Sequence, residues 1–481
     1  MPHSIRRVWA APHPLINEIS AKVDRILRLP QFPVSVPTDR NARQLPQARN
    51  EILPMTAAEP MGEADRISAL PEEIKISILS RLHIKYAIRT SALAHSWRHL
   101  WTHLSYLDLS DDAFVIASSD WIERAHHLVS SLRAPLVRFE LRHSFHSNQA
   151  PLVQPLLDLL LQKGGVETLN LTFFYHRLLV HLPPFHSLKV LQLYQCHVLL
   201  PTGFQGFRSL TTLELKRVRI SNDHLNFLIH TSNNLTTLLC IGFVSPKYPL
   251  SINISLPLLR HLKFVIDDSI DKVSVISAPC LEQVEIMAMS STDSVSQKLA
   301  VVILGLLISV AMVSSLHLHS HVLKCLSLAT LPFNLNFPRL RSLIFYLVIG
   351  TMDKSMYDAF FRLLRSMSFV EELELTCCSD RNDGVEILMG ELFGKKRDGI
   401  SCLNQTLKSV TINMDNAIIG VILGKFFLLK AKVLKLMKFE CYSRSIVELG
   451  MLEELQKAEV TSSDAKVVIF CHEENVTINI K

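Results

Sequence analysis

One short pattern recurs along most of this 481-residue chain and limits what it can fold into. The pattern is L-x-x-L-x-L, with Val, Ile, Phe or Met allowed at the apolar positions. Copies start at Leu104 (LSYLDL), Leu136 (LVRFEL), Val166 (VETLNL), Leu188 (LKVLQL), Leu210 (LTTLEL), Leu235 (LTTLLC), Leu259 (LRHLKF) and Leu281 (LEQVEI). More start at Val313 (VSSLHL), Leu340 (LRSLIF), Val370 (VEELEL), Leu407 (LKSVTI) and Leu434 (LKLMKF). From Val166 to Leu281 the steps between starts are 22, 22, 25, 24 and 22 residues; the later steps are 32, 27, 30, 37 and 27.

Repeats of about 20–29 residues with this spacing are of the leucine-rich kind, each contributing one short strand. Alternate residues of a strand point to opposite sides, so the repeated leucines face inward and the x positions outward. No single turn closes its own core, and many must stack. The longer late steps leave room for inserted helices or loops. The expected fold class is α/β: a curved parallel sheet with helices and loops on its convex side, a leucine-rich-repeat solenoid. Its outward positions include Arg260, His261 and Lys263 on one strand, then Glu282, Gln283 and Glu285 on the next. A later strand offers Glu371, Glu372 and Glu374. These basic and acidic ladders are candidate contacts for a target protein, against the plainer reading of solvated strand faces.

Composition narrows the function classes. Hydrophobic residues are 48% and charged residues 20%, too apolar a balance for a disordered chain. Only 15 glycines are present, which argues against glycine-rich phosphate loops. The net charge of +6 over this length is a weak field, unlike the dense basic stripe of a nucleic-acid binder. The nine cysteines contain no C-x-x-C pair and begin only at Cys196, a usage that suits reduced thiols serving as small apolar residues.

Residues 1–64 read as a poorly structured leader rich in proline, with no apolar run of the length a secretory signal needs. Leu299–Val313 (LAVVILGLLISVAMV) is apolar, but its 15 residues, interrupted by Gly305 and Ser309, suit a buried helix better than a membrane span. A membrane tether on this segment is the alternative.

The character changes at Asp65. Pro71 and the acidic Glu72 and Glu73 mark a helix start. Leu70, Ile74, Ile78 and Leu82 then fall four apart, and Ile67 and Leu79 widen the apolar stripe. A second helix is expected from about Tyr86 to Trp101, carrying Leu93, Trp97 and Trp101. Such a small unit leans on a partner or a neighbouring domain.

Residues 66–105 resemble a plant-type F-box, through Ile67, Leu70-Pro71, Ile74, Ile78-Leu79-Ser80, Leu82, Ala87, Arg89-Thr90-Ser91, Leu93, Trp97-Arg98 and Leu100-Trp101. With the repeats, the chain resembles the plant F-box, FBD and leucine-rich-repeat family. Phe337-Pro338-Arg339-Leu340 and Val370-Glu371-Glu372-Leu373 resemble its FBD region. The division expected is a leader at 1–64, an F-box at 65–104, repeats at 105–331, an FBD-like continuation at 332–381, and irregular repeats with a cap at 382–481. The chain departs from the family at Lys85-Tyr86, where an acidic helix cap is usual, and at His95-Ser96, where a basic pair is usual. Loss of an N-cap carboxylate costs about 1 kcal/mol.

The resemblance implies a non-catalytic, substrate-recruiting subunit of an SCF-type ubiquitin ligase in the nucleus or cytoplasm. The F-box would dock on a Skp-type adaptor, and through it a cullin. Its adaptor contacts would be Ile67, Leu70, Pro71, Ile74, Ile78, Leu79, Leu82, Leu93, Trp97 and Trp101. The repeats would hold an unknown target. A repeat scaffold uncoupled from any ligase is the alternative.

Other chemistries find little support. His95, His99 and His103 share metal-ligand spacing on a helix, but no cysteine or carboxylate accompanies them. His317, His319 and His321 alternate along a strand and suit solvent or target contact better than a metal. Gly420-Val-Ile-Leu-Gly424-Lys425 is one residue short of a phosphate loop and has Phe426 in place of the magnesium-binding hydroxyl. No nucleophile elbow, zinc-protease motif or dinucleotide fingerprint occurs, and no cofactor or metal is expected.

Overall fold

The computed structural model describes residues 67–110, 121–144, 153–174, 178–244, 249–289, 296–328, 335–378, 384–393, 399–441, 449–473 and 476–479. The expected leader at 1–64 lies outside them. The chain separates into two compact units, the first running to Ser105 and including Leu132–Ala134, the second formed by the rest.

In the first unit, α1 (Glu72–Leu79) follows Pro71, whose fixed φ suits the position before a first turn. The second helix, α2 (Ile84–Arg89), is much shorter than the expected 86–101. Three 3₁₀ turns replace the remainder, at Thr90–Ala92, His95–Trp97 and Leu100–His103. Two local causes end the helix. The Thr90 hydroxyl donates to the Ala87 carbonyl at 2.7 Å, and Ala94 is extended (φ −157°, ψ 161°). Leu79, Ile84, Ala87, Trp97, Leu100 and Leu104 form the buried centre of this unit.

The second unit begins with β1 (Tyr106–Ser110), β2 (Arg138–Ser144), β3 (Thr168–Phe174), β4 (Leu178–His181), β5 (Val190–Tyr194) and β6 (Cys196–Leu199). It continues with β7 (Thr212–Lys216), β8 (Thr237–Ile241), β9 (Leu250–Ser255), β10 (His261–Ile266), β11 (Ile270–Ser277), β12 (Gln283–Ala288) and β13 (Ser315–His319). The last are β14 (Ser342–Val348), β15 (Glu372–Cys378), β16 (Ser409–Met414), β17 (Leu436–Cys441), β18 (Lys466–Cys471) and β19 (Val476–Asn479). All except β4, β6, β9 and β11 join one 15-stranded sheet in chain order. Every pairing from β1 to β18 is parallel, and β18 pairs with β19 antiparallel. Two parallel side pairs, β4 with β6 and β9 with β11, stand apart from it.

Each L-x-x-L-x-L copy supplies one strand of the large sheet, and its fourth and sixth positions become the inward pair. Leu169, Leu191, Leu213 and Leu238 are in register on successive strands, and each is 0% exposed. β18 extends the ladder with Val467 and Ile469 although its sequence, KVVIFC, lacks the leading leucine. Such inward ladders exclude water from one continuous core at about 25 cal/mol per Å² of apolar surface.

The longer late steps are filled by helices: α6 (Gln297–Ser309), α7 (Ser320–Leu328), α8 (Lys354–Ser366), α9 (Val385–Phe393), α10 (Ser401–Gln405) and α11 (Ala417–Lys430). Earlier repeats carry α3 (Trp121–Ser131), α4 (Val153–Lys163) and α5 (Asn222–His230), and α12 (Leu449–Gln456) precedes β18. The apolar 299–313 stretch lies mostly in α6, capped by Ser296 and burying Leu299, Ile303, Leu306 and Leu307. Among the described residues no helix is long and apolar enough to cross a membrane. Gly420 and Gly424 sit inside α11. An added Cβ at Gly424 would meet Phe439 at 2.6 Å and Leu455 at 3.1 Å, and one at Gly420 would collide with Met414. These glycines allow close packing of a helix on β17 and its neighbours, and they form no phosphate loop.

Candidate interaction surfaces

In the first unit, the residue four before Leu79 on α1 is Lys75, and both are buried. Lys75 Nζ donates to the Ser68 carbonyl at 2.7 Å and lies 5.7 Å from the Trp97 ring centroid. Trp97 Nε1 donates to Ser68 Oγ at 3.2 Å. The ammonium is thus satisfied by a carbonyl and a ring face. This arrangement takes two of the expected adaptor contacts into the interior of the unit. Leu79 (0% exposed) and Trp97 (3%) build the interior, because α1 turns its Lys75–Leu79 edge inward.

The other expected residues remain reachable. Ile74 and Leu93 are each 48% exposed, and Pro71 is exposed. Ile67, Leu70, Ile78, Leu82 and Trp101 are half-buried. Tyr86, one of the departures from the family pattern, adds another exposed ring. The missing acidic cap is replaced from an unexpected side: His83 Nδ1 accepts from the Lys85 amide at 3.3 Å at the start of α2.

In the second unit, register determines how the outward charges meet. Arg260 pairs with Glu282 on the next repeat, and Lys263 Nζ lies 2.8 Å from Glu285. His261 Nδ1 is 3.2 Å from Gln283 Oε1, and Gln283 Nε2 donates to His317 Nε2 at 2.9 Å. Glu371 lies between Arg341 and Lys408. Glu374 accepts from Asn413 Nδ2 at 2.6 Å. Glu372 is exposed, and no side-chain partner for it occurs among the described residues. The expected basic and acidic strands therefore form one neutralised ladder, with Glu372 as its unpaired carboxylate.

Two features of this face escaped the sequence reading. Glu140, only 3% exposed, is held between Arg138 and Arg142 on its own strand. Its signal was the R-x-E-x-R spacing, which places all three on one side of β2. His319 stacks on Tyr346, with ring centroids 4.4 Å apart and planes 16° from parallel, while its Nε2 lies 3.1 Å from Glu285 Oε1. Burial raises the Glu285 carboxyl, but hydrogen bonds from His319 and Lys263, and their charges, outweigh it and hold the group at about 2. His317 is lowered, first by burial and then by Lys263 and His319, against the opposing pull of Glu285.

The histidine triplets differ in their local setting. His95, His99 and His103 do not share a helix face, since the 3₁₀ turns interrupt the run. No group of three metal-ligating side chains occurs among the described residues. Cys196, Cys240, Cys325, Cys377, Cys402, Cys441 and Cys471 are buried as small apolar residues, and burial pushes the Cys196 thiol up to about 12.

Comparison with known proteins matches both parts of the chain. The F-box domain family matches residues 67–109. The family described as "FBD-associated F-box protein At5g56370, LRR repeats" matches residues 153–305. An Arabidopsis thaliana F-box/FBD/LRR-repeat protein, At1g13570, is 32% identical over 212 residues, covering 42% of this chain and 49% of that protein. A second, F-box/FBD/LRR-repeat protein At1g51370, is 36% identical over 117 residues, covering 19% of this chain and 27% of its own. The F-box protein At1g60400 is 48% identical over 50 residues, covering 10% of this chain and 12% of its own. The chain spans about half, or less, of the length of these relatives. The chain thus matches an F-box followed by FBD-associated leucine-rich repeats, the combination for which F-box/FBD/LRR-repeat relatives such as At1g13570 are named.

Proposed function

We propose that this chain is a non-catalytic substrate-recognition subunit of an SCF-type ubiquitin ligase. The observation that carries the reading is the F-box at 67–109, with Pro71, Ile74 and Leu93 exposed beside half-buried Leu70, Ile78 and Leu82. Exposed apolar side chains grouped on a small helical unit suit a protein partner. The partner is a Skp-type adaptor, which links to a cullin. Ile67 and Trp101 flank the contact, and Leu79 and Trp97 support it from within.

The second unit is read as a leucine-rich-repeat solenoid, with an FBD-like continuation at 332–381 and a C-terminal cap beyond it. Its strict strand order and inward ladder support that reading. A protein target contacts the outward strand face around Arg260, His261, Lys263, Glu282, Glu285, Glu371, Glu372 and Glu374. Since most of these charges are already paired, they give register and specificity more than affinity. The site of action is the nucleus or the cytoplasm.

Co-purification with a Skp-type adaptor tests the reading. The wild type retains the adaptor, and Pro71→Ala/Ile74→Asp loses it without loss of fold. Failure of the wild type to bind leaves the repeat scaffold, uncoupled from a ligase, as the better account.

A further inference from the structure

The side pair β4–β6 continues into the next repeat. His197 forms a parallel bridge with Arg219: the Arg219 amide donates to Cys196 O, and the Val198 amide to Arg219 O, each at 2.8 Å. Val180, Cys196, Val198, Val218 and Ile220 are buried, so the alternation turns His181, His197 and Arg219 to the opposite, outer side. Leu179 registers with His197 and His181 with Leu199, which makes His181 and His197 diagonal neighbours.

Among the described residues, no carboxylate acts on His197 or pairs with Arg219. The Arg219 guanidinium is always protonated, yet its Nε is sealed from solvent with no hydrogen-bond partner. A buried N–H left unpaired is unfavourable, and a charged one more so. The charged groups acting on His197 are Arg219 and His181, and neither is a carboxylate. A second cation is therefore repelled here, and an anion is attracted.

We propose that Arg219, His197 and His181 form an anion site that takes a phosphate monoester group. The planar guanidinium fork matches two phosphate oxygens, and the imidazoles offer further donors from two adjoining repeats. A phosphate monoester dianion offers three terminal oxygens to the solvent-facing donors of these residues, whereas a carboxylate has only two to offer. This inference does not rest on the ligase reading, since the adaptor contact lies in the other unit.

The test titrates the full chain at low salt with O-phosphoserine and with inorganic phosphate, by calorimetry and by ³¹P line broadening. Saturable binding to the wild type is expected, weakened about tenfold or more in Arg219→Met. The double variant His181→Gln/His197→Gln, at one exposed and one half-buried position, weakens it as well, and Lys189→Met serves as the unaffected control. Acetate at equal ionic strength does not compete. Tighter binding of phosphoserine identifies a phosphorylated protein segment as the source, and equal affinity identifies free phosphate. Absence of saturable binding to the wild type overturns the proposal, as does undiminished binding in both folded variants.

Discussion

Lys263 and Glu285 stand in register on adjacent parallel strands, with Nζ 2.8 Å from Oε1. The same carboxylate meets His319 from the following strand. Glu285 thereby joins three repeats through one side chain, and its ionisation becomes part of the stability of the array.

An acid-dependent contribution follows. The folded carboxyl sits at about 2, below its ordinary 4.5. A lowered value stabilises the folded state above the unfolded value and ceases to do so as pH falls through the folded one. Glu285→Gln is expected to lower stability by about 1–2 kcal/mol near neutral pH. The difference shrinks between 4.5 and about 2. Thermal unfolding of both proteins across that range checks it. A difference that stays constant down to the lowest pH counts against the ion-pair account.

Neighbouring leucines on β8 have opposite fates. Leu238 is 0% exposed in the inward ladder, while Leu239 faces outward and is half-buried. Leu238→Ala is expected to cost about 2–5 kcal/mol and Leu239→Ala under about 1 kcal/mol. Urea midpoints followed by circular dichroism compare them, and similar shifts would contradict the assignment of faces.

Close packing at α11 makes Gly424 intolerant of one methyl group. Gly424→Ala forces Phe439 or Leu455 to move and is expected to destabilise by about 1–3 kcal/mol. In an ordinary exposed helix the same change stabilises by about 1 kcal/mol. The sign of the melting-temperature shift therefore decides.

The small unit offers a contrast of its own. Trp97→Ala removes the ring over Lys75 and the donor to Ser68, at an expected cost of about 3–5 kcal/mol. Ile74→Asp, at a 48% exposed site, is expected to change stability by under about 0.5 kcal/mol. Limited proteolysis within residues 67–104 reads both. Cleavage in Ile74→Asp as rapid as in Trp97→Ala would show that Ile74 is structural.

The strand positions were legible because a period-two pattern is a local property, and a leucine inward on one strand is inward on all. β18 was missed because its leading leucine is absent. The first unit was less legible. Apolar spacing of four at Leu70, Ile74, Ile78 and Leu82 marked a helix, but the same spacing passes through Lys75 and Leu79, and that edge is the buried one. A lysine inside is not foreseeable from periodicity, since it depends on the Ser68 carbonyl and the Trp97 ring arriving from elsewhere. The long second helix failed at Thr90 and Ala94, where side-chain hydrogen bonding and an extended residue won over propensity.

By itself, the amino-acid sequence determined an array of strands with one apolar side, and a small helical unit ahead of it. Those follow from spacing alone, because the inward leucines have no other way to leave water. Which charges cancel was decided by the tertiary structure. Glu285 and His319 are 34 residues apart, and Glu371 and Lys408 are 37 apart. Only the register between repeats brings them within hydrogen-bond reach, and that register depends on how each intervening helix or loop packs. The same register places Arg219 beside His197, with no carboxylate paired to it among the described residues.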